Sequence, residues 1–461
     1  MNRNPNTPSR LDLVNALHEA RARTLELISD LTDEQMIGPR LEIVNPLRWE
    51  LGHVAYFQEY WILRHYRKDS PILAGSDALY DSARIPHDAR WDLPLPSKAE
   101  TLTYLERVMN RIAVPPPLAD EPPRPDGYNE AYFLWLGLMH EYMHAEAITY
   151  TRQTLAWPQP KISIAANAGR DPAPRVEDPH HSKAASMAAV TGDAEIPGGP
   201  FLLGSIPDGH FVFDNEQWAH PVTLKPFCIA RTAVSNAEFA AFVEDGGYER
   251  SDWWTPEGWQ WRTESRASHP VYWQRQAGGD WLRRNFDEWV LLEDRLPVLH
   301  VNWYEADAYC RWAGRRLPSE AEWEMAASIE RSTGNRGQPA PKRQYPWGNQ
   351  SPTPERANLD WRAMGCVEVD AAPPGDGAFG CRQMIGNVWE WTATDFGPYP
   401  GFAPGPYKEY SAPWFGNHKV LRGGCWVTRS GLIRNNYRNF YRPHRRDVWS
   451  GFRTCALEKA P

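Results

Sequence analysis

The sequence predicts an α+β protein, helical in its N-terminal part and built from short strands, turns and short helices afterwards. Up to about residue 155, apolar residues recur at helical spacing. After about residue 193, short apolar runs are broken by Gly, Pro and Asn. The 461 residues are enough for two or three domains with separate cores. We therefore expect a helical domain over residues 1–156, a linker or long excursion over 157–192, and a second domain over 193–461.

Four amphipathic helices are predicted in the first domain, each with its buried residues on one stripe. The stripes are Val14, Leu17, Leu25 and Ile28; Trp49, His53, Phe57 and Trp61; Leu102, Leu105, Met109 and Ile112; and Phe133, Leu136, His140, His144, Ala147 and Thr151. The third helix begins at Ser97, which forms a capping box with Glu100. Four helices of this length predict a four-helix bundle with all three of these histidines facing inward.

The second domain is predicted to be rich in loops and in aromatic packing. The chain contains 23 Trp and 42 Pro, which favours turns held by indole rings over long helices. Short helices are expected at Ser235–Glu244, Trp303–Ala313 and Ser319–Ile329, the first of them with a capping box between Ser235 and Glu238.

Composition excludes several classes of protein. Lys and Arg number 50 against 58 Asp and Glu, a net charge of −8 with no basic run, which argues against nucleic-acid binding. The polar N-terminus predicts no signal peptide, and the chain lacks a membrane-spanning stretch of about 18 apolar residues. The six cysteines are scattered without a C-x-x-C pair, as in a reduced cytoplasmic protein.

The most informative residues are His140 and His144, together with His53 far upstream. Two histidines four residues apart lie on one face of a helix. Burying three imidazoles without partners is costly, and a metal ion is their usual partner in a helical bundle. Three neutral imidazoles leave open coordination positions and suit Fe(II) about as well as zinc.

The segment His140–His144 also matches the zinc-hydrolase pattern H-E-x-x-H. In that interpretation Glu141 would be the general base, and the third ligand would come from downstream, where Glu146, His180 and His181 are available. The apolar residues on both sides of the pattern and the upstream His53 favour a bundle site instead.

The C-terminal part resembles the formylglycine-generating, sulfatase-modifying domain, which has a C-type-lectin-like fold. Six ordered motifs over about residues 193–457 support this resemblance: P-V-L-H-V-N-W at 297–303, R-R-L-P-S-E-A-E-W-E at 315–324, Y-P-W-G at 345–348, G-N-V-W-E-W at 386–391, L-R-G-G at 421–424 and S-G-F-R at 450–453. Arg315 and Arg316 are expected to form a charge network with Glu320, Glu322 and Glu324.

Formylglycine generators use a cysteine pair shortly after the R-G-G segment. Thr428 and Ile433 stand where that pair is expected, so the chain resembles a fold relative without that chemistry. Cys425 alone is interpreted as a packing residue.

The complete arrangement, a DinB-like helical bundle fused to this domain, resembles the non-heme iron sulfoxide and selenoxide synthases of ergothioneine and selenoneine biosynthesis. The resemblance implies that His53, His140 and His144 bind Fe(II). It further implies small-molecule substrates: hercynine, whose imidazole docks on the iron, a thiol or selenol donor, and O₂. The enzyme then joins sulfur or selenium to imidazole C2 and oxidises the chalcogen.

The resemblance also assigns residues of the second domain to the active site. The segment 406–411 is similar to one bearing a catalytic tyrosine that delivers a proton, which favours Tyr407, then Tyr410, with Tyr399 as a third candidate. Asn439 is expected to hydrogen-bond hercynine, and Phe440 to face its quaternary ammonium.

Departures from the ergothioneine enzymes concern the donor pocket. Met143 replaces a glutamine and Tyr441 replaces an acid of the γ-glutamylcysteine pocket, while Arg90 matches a donor-carboxylate arginine only loosely. The second helix reads W-E-L-G-H from Trp49, closer to selenoneine synthases than to the usual W-x-L-A-H. A selenosugar donor is therefore favoured, with cysteine or γ-glutamylcysteine as the alternative.

A non-catalytic lectin-like binding module is the alternative function of a different class. No residue pattern predicts an oligomeric state.

Overall fold

The computed structural model describes residues 8–116, 127–163, 190–331 and 341–457. Most of the predicted linker, residues 164–189, lies outside the described residues. The helical part precedes the linker and the sheets follow it, so the α+β prediction is confirmed.

Four long helices form the first part, as predicted, with two short helices between them. They are α1 (Arg10–Glu26), α2 (Asp33–Ile37), α3 (Leu47–Gln58), α4 (Ser76–Tyr80), α5 (Lys98–Ala113) and α6 (Glu130–Thr154). Helix α1 packs on α6, and α3 packs on both α5 and α6. The predicted stripe of α1 is wrong at Leu25, which is exposed, because Arg21 and Thr24 occupy the buried positions between Leu17 and Ile28.

Helix α3 continues directly into a π-helix, Glu59–Tyr66. A π-helix is rare and is found most often near functional sites.

The start of α5 is held by the predicted capping box, in which Ser97 accepts a hydrogen bond from the Glu100 amide and Glu100 accepts one from the Ser97 amide. The short helices α2 and α4 were not predicted, because five residues are too few to show a helical period.

The second part combines thirteen short strands with four helices within the described residues. The helices are α7 (Asn236–Glu244), α8 (Pro256–Ser265), α9 (Trp303–Trp312) and α10 (Glu320–Ser328). The strands are β1 (Asp193–Ile196), β2 (Gly199–Leu203), β3 (His220–Leu224), β4 (Phe227–Ala230), β5 (Trp273–Arg275), β6 (Trp281–Asn285), β7 (Glu288–Leu291), β8 (Arg315–Arg316), β9 (Trp389–Asp395), β10 (Lys419–Arg422), β11 (Asn439–Tyr441), β12 (Ser450–Gly451) and β13 (Cys455–Ala456). The three predicted helices α7, α9 and α10 are confirmed to within a residue at each end.

The strands form two four-stranded sheets and two smaller ones. The orders are β1-β4-β13-β8 and β11-β10-β9-β12, beside the hairpin β2-β3 and the meander β5-β6-β7. In the second sheet β10 runs antiparallel to both neighbours, with Leu421 opposite Asn439 on one side and opposite Trp391 on the other. This register brings the predicted substrate-binding strand β11 next to the R-G-G motif.

A buried ion network supports this sheet, and it differs from the predicted one. Arg422 pairs with both Glu320 and Glu324 of α10, at 2.7 Å each, and Arg438 also pairs with Glu320 at 2.6 Å. Of the expected network, the pair between Arg316 and Glu322 is confirmed, at 2.6 Å, whereas the part around Arg315 was wrong, because Arg315 pairs with Asp193 in the first sheet. Glu320 and Glu324 are one helical turn apart and therefore face the core together.

The C-terminal half of α6 packs directly against the second part of the chain. The Glu146 carboxylate accepts hydrogen bonds from the Trp389 indole, at 2.6 Å, and from the Thr428 hydroxyl, at 2.9 Å. Trp361 donates to Thr149, and the Gln153 amide donates to the backbone oxygen of Arg284. One helix thus carries two of the predicted ligands and the contact with the other half.

Among the described residues, no helix has the length and apolar character needed to cross a bilayer.

Candidate metal centre

The structure brings the three predicted ligands together on the facing sides of α3 and α6. One ring nitrogen from each of His53, His140 and His144 lies within 4.8 Å of the other two. His53 and His140 are buried, at 4% and 2% exposure, and His144 is partly exposed. It is the only such group of three or more potential ligands within the described ranges.

Hydrogen bonds fix the rings of two of the histidines. Nδ1 of His53 lies 2.8 Å from the backbone oxygen of Tyr80, which can only accept, so Nδ1 carries the proton. Nδ1 of His144 lies 3.3 Å from a carboxylate oxygen of Glu50. Both contacts leave Nε2 as the free lone pair, which is the usual arrangement around a metal-binding histidine.

The third histidine has a buried ring nitrogen that makes no hydrogen bond. Nδ1 of His140 is enclosed and has no partner among the described residues. A buried polar atom without a partner is costly, and it needs an explanation in a native fold. Three converging imidazoles and an unsatisfied ring nitrogen fit a bound divalent transition metal.

The protonation state also fits a metal site. Burial, and then the neighbouring His144, lower the pKa of both His53 and His140 well below the ordinary histidine value. The imidazoles are therefore neutral at physiological pH, which is the form that binds a metal ion.

Aromatic rings enclose two of the three histidines. Trp49 stacks on His53 with ring centroids 4.8 Å apart, and Phe57 stacks on His140 at 3.6 Å. Because α3 turns once in about 3.6 residues, Trp49, His53 and Phe57 share one face. The rings hold the imidazole planes in place and exclude water from one side of the cluster.

Glu141 does not face the histidines. Its carboxylate accepts hydrogen bonds from Arg21, at 2.8 Å, and from the Gln58 amide, at 2.7 Å, and it is fully buried. The H-E-x-x-H interpretation, in which Glu141 is a general base, is therefore wrong, because this carboxylate is enclosed by α1 and α3 and used in an ion pair.

Tyr407, from the second part of the chain, is the predicted tyrosine that reaches the cluster. Its ring meets Phe57 edge-on at 4.8 Å and lies 6.2 Å from the ring of His140. Burial, and then Glu409, raise the pKa of the Tyr407 phenol above its ordinary value, so the phenol keeps its proton. A protonated phenol at this position can donate a hydrogen bond or a proton.

The other two tyrosines have different surroundings. Tyr410 stacks beside Tyr407 at 5.9 Å, and its hydroxyl is 3.1 Å from that of Tyr437. The Tyr399 hydroxyl donates to Glu320 at 3.1 Å, within the buried ion network of the second sheet. The Tyr399 hydroxyl is therefore used in the ion network that supports the sheet.

The predicted substrate-binding residues of β11 lie side by side. The Asn439 side-chain oxygen accepts a hydrogen bond from the Phe440 amide at 2.8 Å. Phe440 stacks on Phe396 at 4.0 Å and meets the Tyr410 ring at 5.4 Å. Burial, followed by Tyr150, raises the pKa of Tyr441, which also hydrogen-bonds Asn439.

Arg90 lies beside the cluster, and Met143 packs in the core next to it. The Arg90 guanidinium lies 3.9 Å from the centroid of the Trp49 ring and donates to the Asn45 side chain at 2.7 Å. Burial lowers its pKa to about 10, and the nearby Glu50 and Tyr407 oppose that change. Met143 is partly buried and packs against the hydrophobic core next to His144.

Sequence reasoning missed the groups that orient the ligands. Glu50 was detectable in principle, since it lies three residues before His53 on the same helix and is buried. The contact between His53 and Tyr80 could not be detected from the sequence, because the Tyr80 atom involved is a backbone oxygen, which any residue would supply. Glu146, named as a possible third zinc ligand, is not in the histidine cluster, because its carboxylate is bonded to the indole of Trp389 and the hydroxyl of Thr428 from the other half of the chain.

Comparison with known proteins agrees with both halves of this architecture. Residues 16–148 match the DinB superfamily, and residues 180–457 match the sulfatase-modifying factor enzyme 1-like domain. A formylglycine-generating enzyme of Streptomyces coelicolor is 32% identical over 293 residues, covering 56% of this chain and 84% of that enzyme.

Two relatives match along nearly their entire length. A hercynine oxygenase of Mycolicibacterium thermoresistibile is 35% identical over 455 residues, covering 97% of this chain and 95% of the relative. A hercynine oxygenase of Mycobacterium tuberculosis is 36% identical over 441 residues, covering 95% and 96%. The chain therefore belongs to the family of two-domain proteins that fuse a DinB-type bundle to a sulfatase-modifying-factor-like domain. Within that family it is a full-length relative of the mycobacterial hercynine oxygenases.

Proposed function

We propose that this protein is a non-heme iron enzyme that uses O₂ to join selenium or sulfur to imidazole C2 of hercynine and to oxidise the chalcogen. The observation that carries the proposal is the cluster of His53, His140 and His144, in which His53 and His144 each have one ring nitrogen hydrogen-bonded. Full-length similarity to hercynine oxygenases supports the substrate.

The proposal gives each group near the cluster a role. Fe(II) bound by the three histidines would supply open positions for hercynine, the donor and O₂. Tyr407 holds a proton on its phenol oxygen within the enclosed site and donates it during the reaction. Asn439 hydrogen-bonds hercynine, and Phe440 faces its trimethylammonium group.

For the donor we propose a selenosugar. The pocket residues Tyr441 and Met143 are uncharged, which suits a sugar better than a γ-glutamyl group with its charges. Arg90 supplies one buried cation close to Tyr407, and a selenolate is an anion that this cation stabilises. The same cation favours a second candidate, a sulfoxide synthase that binds the carboxylate of cysteine or γ-glutamylcysteine.

Metal analysis tests the first part of the proposal. Protein purified without oxygen should contain about one iron per chain, and a His140→Ala variant should lose it. Nitric oxide added to the Fe(II) protein should give the colour of an iron–nitrosyl complex. A chain fully loaded with zinc and active on peptides, or a chain that binds no metal, would contradict the proposal.

Oxygen uptake tests the donor. With hercynine present, uptake should be faster with a selenosugar than with cysteine or γ-glutamylcysteine. Arg90→Met should raise the KM for the preferred donor about tenfold and leave the iron content unchanged, whereas Arg40→Met, on the exposed pair with Asp92, should change neither. Faster turnover with γ-glutamylcysteine would assign the protein to the sulfoxide synthases.

A further inference from the structure

We infer that Gly52 is a positioning residue for the metal site: it leaves room for the Tyr80 ring and thereby fixes the backbone oxygen that orients His53. The inference rests on the proposed function, because it treats His53 as a ligand. It concerns the glycine that directly precedes His53 in the segment W-E-L-G-H.

The space beside Gly52 is filled completely by Tyr80. A Cβ atom at residue 52 would lie 2.2 Å from two carbons of the Tyr80 ring and 2.6 Å from its oxygen. The backbone of Gly52 is helical, so its conformation does not require glycine and only the ring excludes a side chain. Tyr80 is fully buried and stacks on Tyr104, whose hydroxyl donates to Glu59 at 2.7 Å. A second, anchored aromatic ring therefore confines the Tyr80 ring.

The docking of this ring decides where the end of α4 lies. Residues of α3 bind two successive backbone oxygens there: Trp49 donates to that of Leu79, and His53 donates to that of Tyr80, both at 2.8 Å. Tyr56, one turn further along α3, donates to Asp77 at the start of α4. The short helix is thus aligned with α3 along its whole length.

A methyl group at residue 52 would therefore act on His53 through Tyr80. Because the Tyr80 ring is fully buried and packs beside Tyr104, the methyl group displaces Tyr80 within the core, and its backbone oxygen shifts with it. His53 then loses the acceptor that places its proton on Nδ1 and leaves Nε2 free. Losing such an outer hydrogen bond typically weakens metal binding about 10- to 100-fold.

The chain offers a matched control in α6. Gly137 is a second helical glycine, one turn before His140. A Cβ there would lie 3.2 Å from Cγ of Gln58 and from Cδ1 of Ile62, contacts that require an adjustment of only a few tenths of an ångström. Gly137→Ala is thus the same change in a similar helix, without a ring in the way.

Cobalt titration of the metal-free full-length chain provides the test. Gly52→Ala should bind Co²⁺ at least about tenfold more weakly than the unchanged chain, and Gly137→Ala within about threefold of it. Tyr80→Ala should also bind more weakly. Adding Gly52→Ala to Tyr80→Ala should cause no further loss, because the ring through which the methyl acts is gone.

The protonated nitrogen of His53 gives a second readout that needs no metal. In ¹⁵N-histidine-labelled protein the proton should be on Nδ1, and Gly52→Ala should move a measurable fraction to Nε2. If the unchanged chain binds no metal but shows this tautomer and its shift, the proposed function fails while the positioning holds. Cobalt affinity of Gly52→Ala equal to that of Gly137→Ala, or additive effects with Tyr80→Ala, would overturn the inference. Should Gly52→Ala fail to fold, unchanged affinity in Tyr80→Ala would overturn it equally.

Discussion

Phe57 and His140 lie face to face, with ring centroids 3.6 Å apart and 4° between the ring planes. The same phenyl ring meets Tyr407 edge-on at 4.8 Å. Phe57 therefore lies between a candidate ligand from the bundle and the candidate proton donor from the second domain. The geometry of this one ring sets the plane of the His140 imidazole.

Replacement of Phe57 by leucine should weaken metal binding more than it weakens the fold. An aromatic stack is worth about 0.5–1.5 kcal/mol beyond burial, which limits the expected fall in metal affinity to at most about 13-fold. Phe133→Leu, at an equally buried ring that stacks on Trp61, is the matched control and should lower stability alone. Equal metal affinity in the two variants, measured by titration, would contradict the role of the stack.

Replacement of Tyr407 by phenylalanine should leave the iron content unchanged and slow turnover. Removing one positioned proton donor typically costs 10²–10⁴-fold, and the products should shift as the oxidation is redirected. Tyr410→Phe, which loses only the hydrogen bond with Tyr437, should have the smaller effect. Unchanged rate and products in Tyr407→Phe would move the role to another residue.

Replacement of Glu141 by glutamine should affect folding and not chemistry. Its carboxylate neutralises the buried Arg21, and removing one partner of a buried ion pair costs about 3–5 kcal/mol. We expect a lower free energy of unfolding in denaturant, with the metal retained and turnover per folded molecule preserved. A stable variant that has lost all activity would restore Glu141 as a catalytic base.

Replacement of Glu216 by glutamine should change how stability depends on pH. Burial raises the pKa of this carboxyl from 4.5 to about 7, while its oxygens accept from the Phe213 amide and from Asn436. The protonated form stabilises the fold fully below pH 4.5, and that contribution is lost as pH rises through 7. At pH 8 the loss amounts to roughly 3 kcal/mol at most.

Glutamine cannot ionise, so the stability of Glu216→Gln relative to the unchanged chain should increase between pH 5 and pH 8. Urea unfolding of metal-free protein at both values measures this difference. A difference that is constant or decreases with pH would show that Glu216 is ionised in the fold.

The convergence of the three histidines could be predicted because local helical spacing decides which face of its helix each one occupies. Helical spacing puts His140 and His144 on one face, and the stripe through Trp49, His53 and Phe57 puts the third imidazole inward. The same reasoning could not orient Glu141, since whether an inward carboxylate meets a metal or an arginine depends on which helix lies opposite.

The second domain was less predictable from periodicity. Several of its strands have only two or three residues, such as β8 and β12, and such lengths show no alternation. Its motifs nevertheless identified the fold by resemblance. The motifs could not predict how the two domains pack against each other. That packing places Tyr407 against Phe57 and the Glu146 carboxylate against Trp389.

The contacts of Glu146 make substitutions in the two domains depend on each other. Its carboxylate joins the helix that carries two histidines to the indole of Trp389 and the hydroxyl of Thr428, across the boundary between the helical bundle and the second domain. Covalent fusion supplies both units in a one-to-one ratio and at a high effective concentration, so this joint forms without a search for a partner. Neither domain can then change freely, because a substitution that tilts one of them displaces Tyr407 of the second domain from Phe57 and His140 of the first.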